Sequence, residues 1–373
     1  MKHVLLIGAT GVFGQRLARH LASFEDIHLT LTSRDLKRAG ALATKIKSQD
    51  AKAPIKAIAL NTTHNLSHQL IVLNPWLIID ASGPFQGADY SVPKAALSAG
   101  AHYLDLADAR EYLKGFAELD ATAKASGLVA LAGTSSTPAL SSAVIAALTK
   151  GWVRIDCVDI AIVPGGKSEV GPAVIKAILS YVGTPIPSLN DAQYGTITAW
   201  AHSQTLFVPG LGKRRVAPVE TADVELVAPH FKVQKKLLFQ AGLESPIEQW
   251  GIIALSHVKR FGLLGNLTGL TPLLQFARKF TRLFTGDRGA MIVTAAGLDK
   301  HGKPISIQWQ LMASNGDGPN VPVMAAAAAV RALLGDKITA GAQPCIAVLL
   351  LAAIEHEMKP YAIKTSIRLI PPQ

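Results

Sequence analysis

Apolar runs and helical stripes alternate regularly over residues 3–131. Val4-Leu5-Leu6-Ile7 is a continuous apolar run, the pattern of a strand covered on both faces. The segment after it places Phe13, Leu17 and Leu21 on one side and turns Gln15, Arg16 and Arg19 away, which predicts an amphipathic helix. The same alternation predicts strands at Ile27–Thr32, Ile55–Leu60, Trp76–Asp80, His102–Leu104 and Leu128–Leu131. Between them it predicts helices at Asp35–Lys47, His64–Leu73, Ala88–Ala99 and Arg110–Ser126. Repeated β-α segments of this length imply a parallel sheet with right-handed crossovers.

The pattern then changes. Helices are expected at Pro138–Leu148 and Pro172–Val182, with a long strand at Ile155–Val163 between them and several strands within 195–241. Helical stretches follow at Pro246–Arg260 and Thr271–Phe284. Ala290–Leu298 and Pro304–Met312 flank Asp299-Lys300-His301-Gly302-Lys303, a hairpin signal. Helices near Pro322–Leu334 and Ile346–Met358 and a strand at Ala362–Leu369 close the chain. The expected fold class is α/β: an N-terminal doubly wound Rossmann sheet and a second, α+β domain with a mostly antiparallel sheet. The expected divisions are 1–137, 138–318, and a C-terminal part, 319–373, packing back on the first two.

Gly8-Ala9-Thr10-Gly11-Val12-Phe13-Gly14 joins the first strand to the first helix. Gly8 suits a tight turn, Gly11 a close approach of backbone to a pyrophosphate, and Gly14 close packing of helix on sheet. The helix N-terminus, from Thr10 through Val12 and Phe13, would then offer free N–H groups to phosphates. An acidic residue at the end of the second strand would bind the ribose hydroxyls of NAD; Ser33 and Arg34 stand there instead. A hydroxyl and a guanidinium suit a ribose 2′-phosphate, with Lys37 and Arg38 adding charge one turn further on. NADP(H) is therefore the expected cofactor, with NAD(H) as the alternative.

Composition narrows the function classes. The 373 residues are 49% hydrophobic and 17% charged, which argues against disorder. The net charge of +11 rests on small groups such as Lys213-Arg214-Arg215 and Arg278-Lys279. No nucleic-acid motif accompanies them, so they read as solvated faces with some attraction for an anionic cofactor or substrate. Cys157 and Cys345 are far apart and in no metal-binding spacing, and no histidine pairs with another ligand, so no metal is expected. A reduced, cytoplasmic setting is expected, and the apolar start reads as a strand rather than a signal peptide, having no cleavage site.

In an open α/β sheet, chemistry gathers at the carboxyl ends of the strands. That points to Gly83–Phe85, Asp105–Arg110 and Thr134–Thr137, with Ser82 able to hydrogen-bond a ribose or carboxamide and Asp105 and Tyr103 as acid–base candidates. Asp108 stands where it could cap the following helix. Asp317 could touch a ligand or hold a loop. Residues 246–284 mix Trp250, Phe261, Leu263, Leu264, Phe276, Phe280 and Phe284 with Lys259, Arg260, Arg278 and Lys279. Two amphipathic helices covering the second sheet are expected there, with contact to an anionic membrane surface as the alternative. A small-molecule substrate is expected, and a homodimer is left open.

Several segments in order carry a family resemblance: Asp80-Ala81-Ser82-Gly83-Pro84-Phe85, Tyr90-Ser91-Val92, Ala99-Gly100-Ala101-His102-Tyr103-Leu104-Asp105-Leu106-Ala107-Asp108, Gly133-Thr134-Ser135-Ser136-Thr137-Pro138-Ala139-Leu140-Ser141-Ser142 and Gly316-Asp317-Gly318-Pro319-Asn320-Val321-Pro322. With the glycine fingerprint, the chain resembles the saccharopine dehydrogenase-like oxidoreductases, in their broad bacterial branch of undefined substrate. The resemblance implies an NADP-binding Rossmann domain, a second α/β domain that the chain enters and leaves, and a Ser82–Phe85 loop near the nicotinamide. The lysine and histidine acid–base groups of lysine-forming saccharopine dehydrogenases have no matching position here, so saccharopine is not the expected substrate. An NADP-binding sensor or scaffold and a lipid-handling protein are the alternatives to an enzyme.

Overall fold

Residues 1–262, 265 and 267–371 of the computed structural model are described; Leu263 and Leu264 fall outside them. The chain forms two units. One comprises Met1–Leu140 with Asn320–Glu357, the other Ser141–Pro319 with Met358–Gln373.

The first unit is built on β1 (Lys2–Ile7), α1 (Val12–Leu21), β2 (Ile27–Ser33), α2 (Leu36–Lys47), β3 (Ile55–Ala59), α3 (Leu66–Leu73), β4 (Leu77–Asp80), α4 (Ser91–Ser98), β5 (His102–Asp105), α5 (Arg110–Gly115), α6 (Asp120–Ala125) and β6 (Val129–Ala132). The sheet runs β3-β2-β1-β4-β5-β6, all parallel, with a seventh strand, Gly341–Pro344, parallel to β6. The order reverses between β1 and β4, and in open sheets of this kind ligands bind at that switch point, outside the strands' carboxyl ends. Val4, Leu5 and Leu6 are fully buried, as a strand covered by helices on both faces requires.

The seventh strand was not expected from the sequence. Gly341-Ala342-Gln343-Pro344 has no β-branched residue; its place is set by pairing with β6 and by Asp120, whose Oδ1 accepts the Ala342 amide at 3.0 Å. The helix expected at Arg110–Ser126 is broken into α5, a short 3₁₀ turn and α6. The break begins at Gly115, where a Cβ would stand 2.5 Å from the Tyr90 hydroxyl. In the returning segment, helix Val321–Leu334 packs on α1, and its run Ala325–Ala329 is buried.

The second unit holds a nine-stranded mixed sheet. Its central strand, Arg154–Val163, pairs parallel with Lys236–Ala241 and antiparallel with Gly289–Leu298. Gly289–Leu298 and Pro304–Ala313 form the expected hairpin, and Ile363–Leu369 adds beside it. The other pairings are antiparallel, so the expected mostly antiparallel sheet is present. One hairpin, Pro185–Asn190 with Gln193–Thr198, begins earlier than the sequence pattern indicated. Its first strand carries Pro185 and Pro187, which mask a strand signal. Its turn residues Asp191 and Ala192 both take positive φ, as a two-residue hairpin turn requires.

Candidate functional site

The glycine loop follows from three local constraints. Gly8 has φ +72°, and a Cβ there would lie 2.7 Å from the Ser82 backbone, so the loops after β1 and β4 touch through a residue with no side chain. At Gly14 a Cβ would stand 2.1 Å from the Gly8 carbonyl oxygen, so only glycine lets α1 lie this close to β1. The Gly11 amide donates to the Gly8 carbonyl at 2.9 Å and closes the turn. Gly11 is also the N-cap of α1 and is extended there, with no side-chain cap. The first-turn amides of Val12, Phe13 and Gly14 thus stand at a helix N-terminus that no side chain covers, an arrangement suited to anionic oxygens.

Thr10 lies beside the end of β2, where its hydroxyl donates to Ser33 Oγ at 3.4 Å. Ser33 Oγ also accepts the Asp35 amide, and Asp35 Oδ1 caps α2 by accepting the amides of Lys37 and Arg38. A cavity of about 260 Å³ opens next to this turn, lined by Thr10, Gln15, Arg38, Ala41 and Leu42. Arg34 is exposed and does not line it. Sequence reasoning named Arg38 only as extra charge and missed Gln15. One signal was available: Gln15 and Arg38 each sit one turn into a helix leaving the nucleotide loops.

At the end of β4, Asp80 is buried and its Oδ1 accepts both the amide (2.8 Å) and the hydroxyl (2.5 Å) of Ser82. Burial pushes the Asp80 carboxyl up, and the two Ser82 bonds oppose that shift. Ser82 and Pro84 are exposed, Gly83 is half-buried, and Phe85 turns inward against Tyr112 at 5.3 Å between ring centres. Phe85 thus anchors the loop, leaving Ser82, Gly83 and Pro84 facing outward.

Asp105 ends β5 with no exposed surface. Its Oδ1 accepts the Ala107 amide at 2.9 Å and the Gly133 amide at 2.7 Å. Its backbone carbonyl accepts the amide and hydroxyl of Thr134. One residue therefore ties together the loops after β5 and β6. Its Oδ2 has no hydrogen-bond partner of good geometry, although the Tyr112 hydroxyl lies close enough to interact. Burial raises the carboxyl to about 7, against the pull of the two amides.

Tyr103 is fully buried, with its hydroxyl 3.3 Å from that of Tyr112, and burial pushes it well above the usual phenol range. The two acid–base candidates thus meet near Tyr112 beneath the strand ends, both shut off from solvent. Asp108 does not cap the next helix as expected: the N-cap is Ala109, with no side-chain bond, and Asp108 accepts from Gln86 at 3.2 Å. Asp317 holds a loop, accepting the Ala362 amide at 2.8 Å. Among the described residues, no group of three or more His, Cys, Asp or Glu side chains is placed to hold a metal ion. Nor is any described helix long and apolar enough to cross a membrane.

Residues 4–131 match the family model of the saccharopine dehydrogenase NADP binding domain. No curated protein matches the chain by sequence. Among solved structures, saccharopine dehydrogenase (L-Glu forming) from Saccharomyces cerevisiae aligns over 100% of both chains, with 14% identity and a TM-score of 0.70. GenD2 from gentamicin A biosynthesis, in complex with NAD, aligns over 99% of this chain and 96% of its own, with 13% identity and a TM-score of 0.42. A meso-dapdh mutant from Clostridium tetani covers 96% and 99%, with 13% identity and a TM-score of 0.47. The first of these likenesses shows that the fold extends over the whole chain. The N-terminal unit therefore carries an NADP-binding domain of the saccharopine dehydrogenase type, as the sequence led us to expect. The match to that domain, over residues 4–131, supports an oxidoreductase.

Proposed function

We propose that this chain transfers hydride between NADP(H) and a small or moderately apolar organic substrate. One observation carries the reading. The glycine cradle is closed to any side chain at Gly8 and Gly14, and it stands beside a cavity walled by Arg38. The cradle fits a pyrophosphate and the cavity fits a ribose phosphate paired with a guanidinium. Bound there, the nicotinamide supplies the hydride chemistry.

The chain's own residues bind and position. The amides of Val12, Phe13 and Gly14 take the pyrophosphate, Thr10 and Ser33 line the ribose, and Arg38, with Arg34 outside it, meets the 2′-phosphate. The exposed Ser82-Gly83-Pro84 loop, held from beneath by Asp80 and Phe85, faces the reacting end. Asp105 acts as a positioning residue: it fixes the loops after β5 and β6 at the strand ends where substrate would approach.

The test is a titration of NADPH fluorescence with purified protein, followed by a panel of carbonyl, imine and activated-alkene substrates monitored by NADPH oxidation. Binding together with oxidation by one substrate class supports the proposal. NADPH binding with no oxidation across the panel would favour a cofactor-sensing protein, and absence of NADPH binding would overturn the reading.

A further inference from the structure

The helix Thr271–Thr281 is turned inside out relative to a helix that buries its apolar stripe. Leu273, Phe276 and Phe280 follow helical spacing along one face, and Leu283 and Phe284 continue it into the turn beyond. All five are exposed, Phe284 at 90%. The helix buries no residue. Arg278 and Thr281 face inward instead: Arg278 pairs with Glu248 at 3.8 Å and donates to the carbonyls of Gly166 and Ser168, and the Thr281 hydroxyl donates to Glu248. The helix packs on Pro172–Tyr181 and on the turn 267–270, rather than laying its apolar face on the sheet as the sequence pattern suggested.

An outward stripe of this kind costs free energy in water and gains it wherever an apolar medium covers it. Charge identifies the medium. From Gln249 to Gly286 the sequence has no acidic residue, yet it contains Lys259, Arg260, Arg278, Lys279 and Arg282. Arg260 and Lys279 are exposed, and Phe261, at the end of the helix Pro246–Arg260, is 75% exposed. A second copy docking by the same face would bring like charges together. An anionic lipid surface would take the phenyl rings among its acyl chains and the cations at its headgroups.

We propose that the outward face of Thr271–Phe284, with the adjoining Arg260 and Phe261, docks this protein on anionic membrane surfaces. The helix would lie in the interface plane, held by its aromatic residues and steered by its basic ones. This proposal stands on the surface alone and does not depend on the substrate.

The experiment is flotation of the full-length protein with phosphatidylcholine vesicles, with and without phosphatidylglycerol. The expected result is flotation with the anionic vesicles, lost at high salt, and little with neutral ones. The variant Phe276→Ser/Phe280→Ser/Phe284→Ser should lower the partition coefficient at least about tenfold, and Arg260→Glu/Lys279→Glu should do so selectively for anionic vesicles. NADPH affinity and circular dichroism report whether these surface variants are folded. Absence of flotation, equal flotation with neutral vesicles, or unchanged binding by the triple variant would overturn the proposal. A wild-type dimer that the triple variant dissociates, without vesicle binding, would overturn it in favour of self-association.

Discussion

Asp105 Oδ1 accepts the Gly133 amide at 2.7 Å, joining the ends of β5 and β6 through a carboxylate that has no exposed surface. Gly133 has φ +76°, and a Cβ there would lie 2.6 Å from Pro138 Cδ. The loop must therefore pass at this distance, and its amide needs an acceptor. The carboxylate meets that need at the expense of a buried charge, and the result is a group that titrates near neutrality.

The consequence is a pH-dependent stability. Burial raises Asp105 to about 7 from the ordinary carboxyl value of 3.8. Between those values the folded state holds a proton that the unfolded state has released. Stability therefore falls as pH rises through this window, by about 1.4 kcal/mol per pH unit. Asp105→Asn keeps a carbonyl acceptor for Gly133 and removes the titration. Urea unfolding from pH 5 to 8 should show the wild type losing stability relative to Asp105→Asn as pH rises. Parallel curves would mean that Asp105 does not titrate in this range.

Cofactor selection should rest on Arg38 more than on Arg34. Both arginines are exposed, but Arg38 lines the cavity beside Thr10 and Arg34 does not. A charge-assisted contact to phosphate is worth about 1.5–3 kcal/mol. Arg38→Ala should weaken NADPH binding about tenfold to a hundredfold and leave NADH nearly unchanged, with Arg34→Ala showing a smaller effect. Fluorescence titrations of both cofactors with both variants decide this; a larger loss in Arg34→Ala would return the selector role to that residue.

How far the sequence revealed this site depends on whether a feature is local. Gly8, Gly11 and Gly14 were legible because a tight turn and a close helix each need a glycine at a fixed spacing. The strands were legible because burial on both faces demands runs such as Val4–Ile7. The choice between Arg34 and Arg38 depends on how α2 leaves β2, which residue type alone does not encode. The strand Gly341–Pro344 is defined by its neighbour β6, some 200 residues away in sequence. The helix Thr271–Thr281 has an amphipathic pattern that says how wide its apolar stripe is, but not which way the stripe faces.

Gly14→Ala tests the close approach of α1 to the sheet. The added Cβ would stand 2.1 Å from the Gly8 carbonyl oxygen and 2.9 Å from Ala9 Cα, both backbone atoms. Neither can turn aside, so α1 must move outward and carry its N-terminal amides away from the pyrophosphate position. The expected cost is about 1–3 kcal/mol in stability, with a loss of NADPH affinity of at least about tenfold. Thermal unfolding and cofactor titration measured together separate the two effects. Unaltered NADPH binding would show that the amides of α1 do not hold the phosphates.

Glu357 holds the returning C-terminal segment to the first helix. Its Oε2 accepts from His20 Nε2 of α1 at 2.8 Å, and its Oε1 accepts from Arg331 Nε at 2.7 Å. Arg331 in turn lies over the Phe24 ring at 4.1 Å. Burial pushes the Glu357 carboxyl up, but the bonds from His20 and Arg331 outweigh it and hold the group at about 2, below the usual 4.5. A carboxyl depressed in the folded state contributes stability that is present above its unfolded value and is lost as pH falls through the folded one. The contribution should therefore be complete above about pH 5 and decline toward pH 2. Glu357→Ala removes the carboxylate that His20 Nε2 and Arg331 bond and should cost about 2–4 kcal/mol at neutral pH. That penalty should shrink in acid, as the wild type loses the same interaction. Unfolding of both proteins at pH 7 and pH 3 measures the difference, and a penalty that stays constant between the two would show that packing, not the carboxylate's charge, secures α1 to the returning chain.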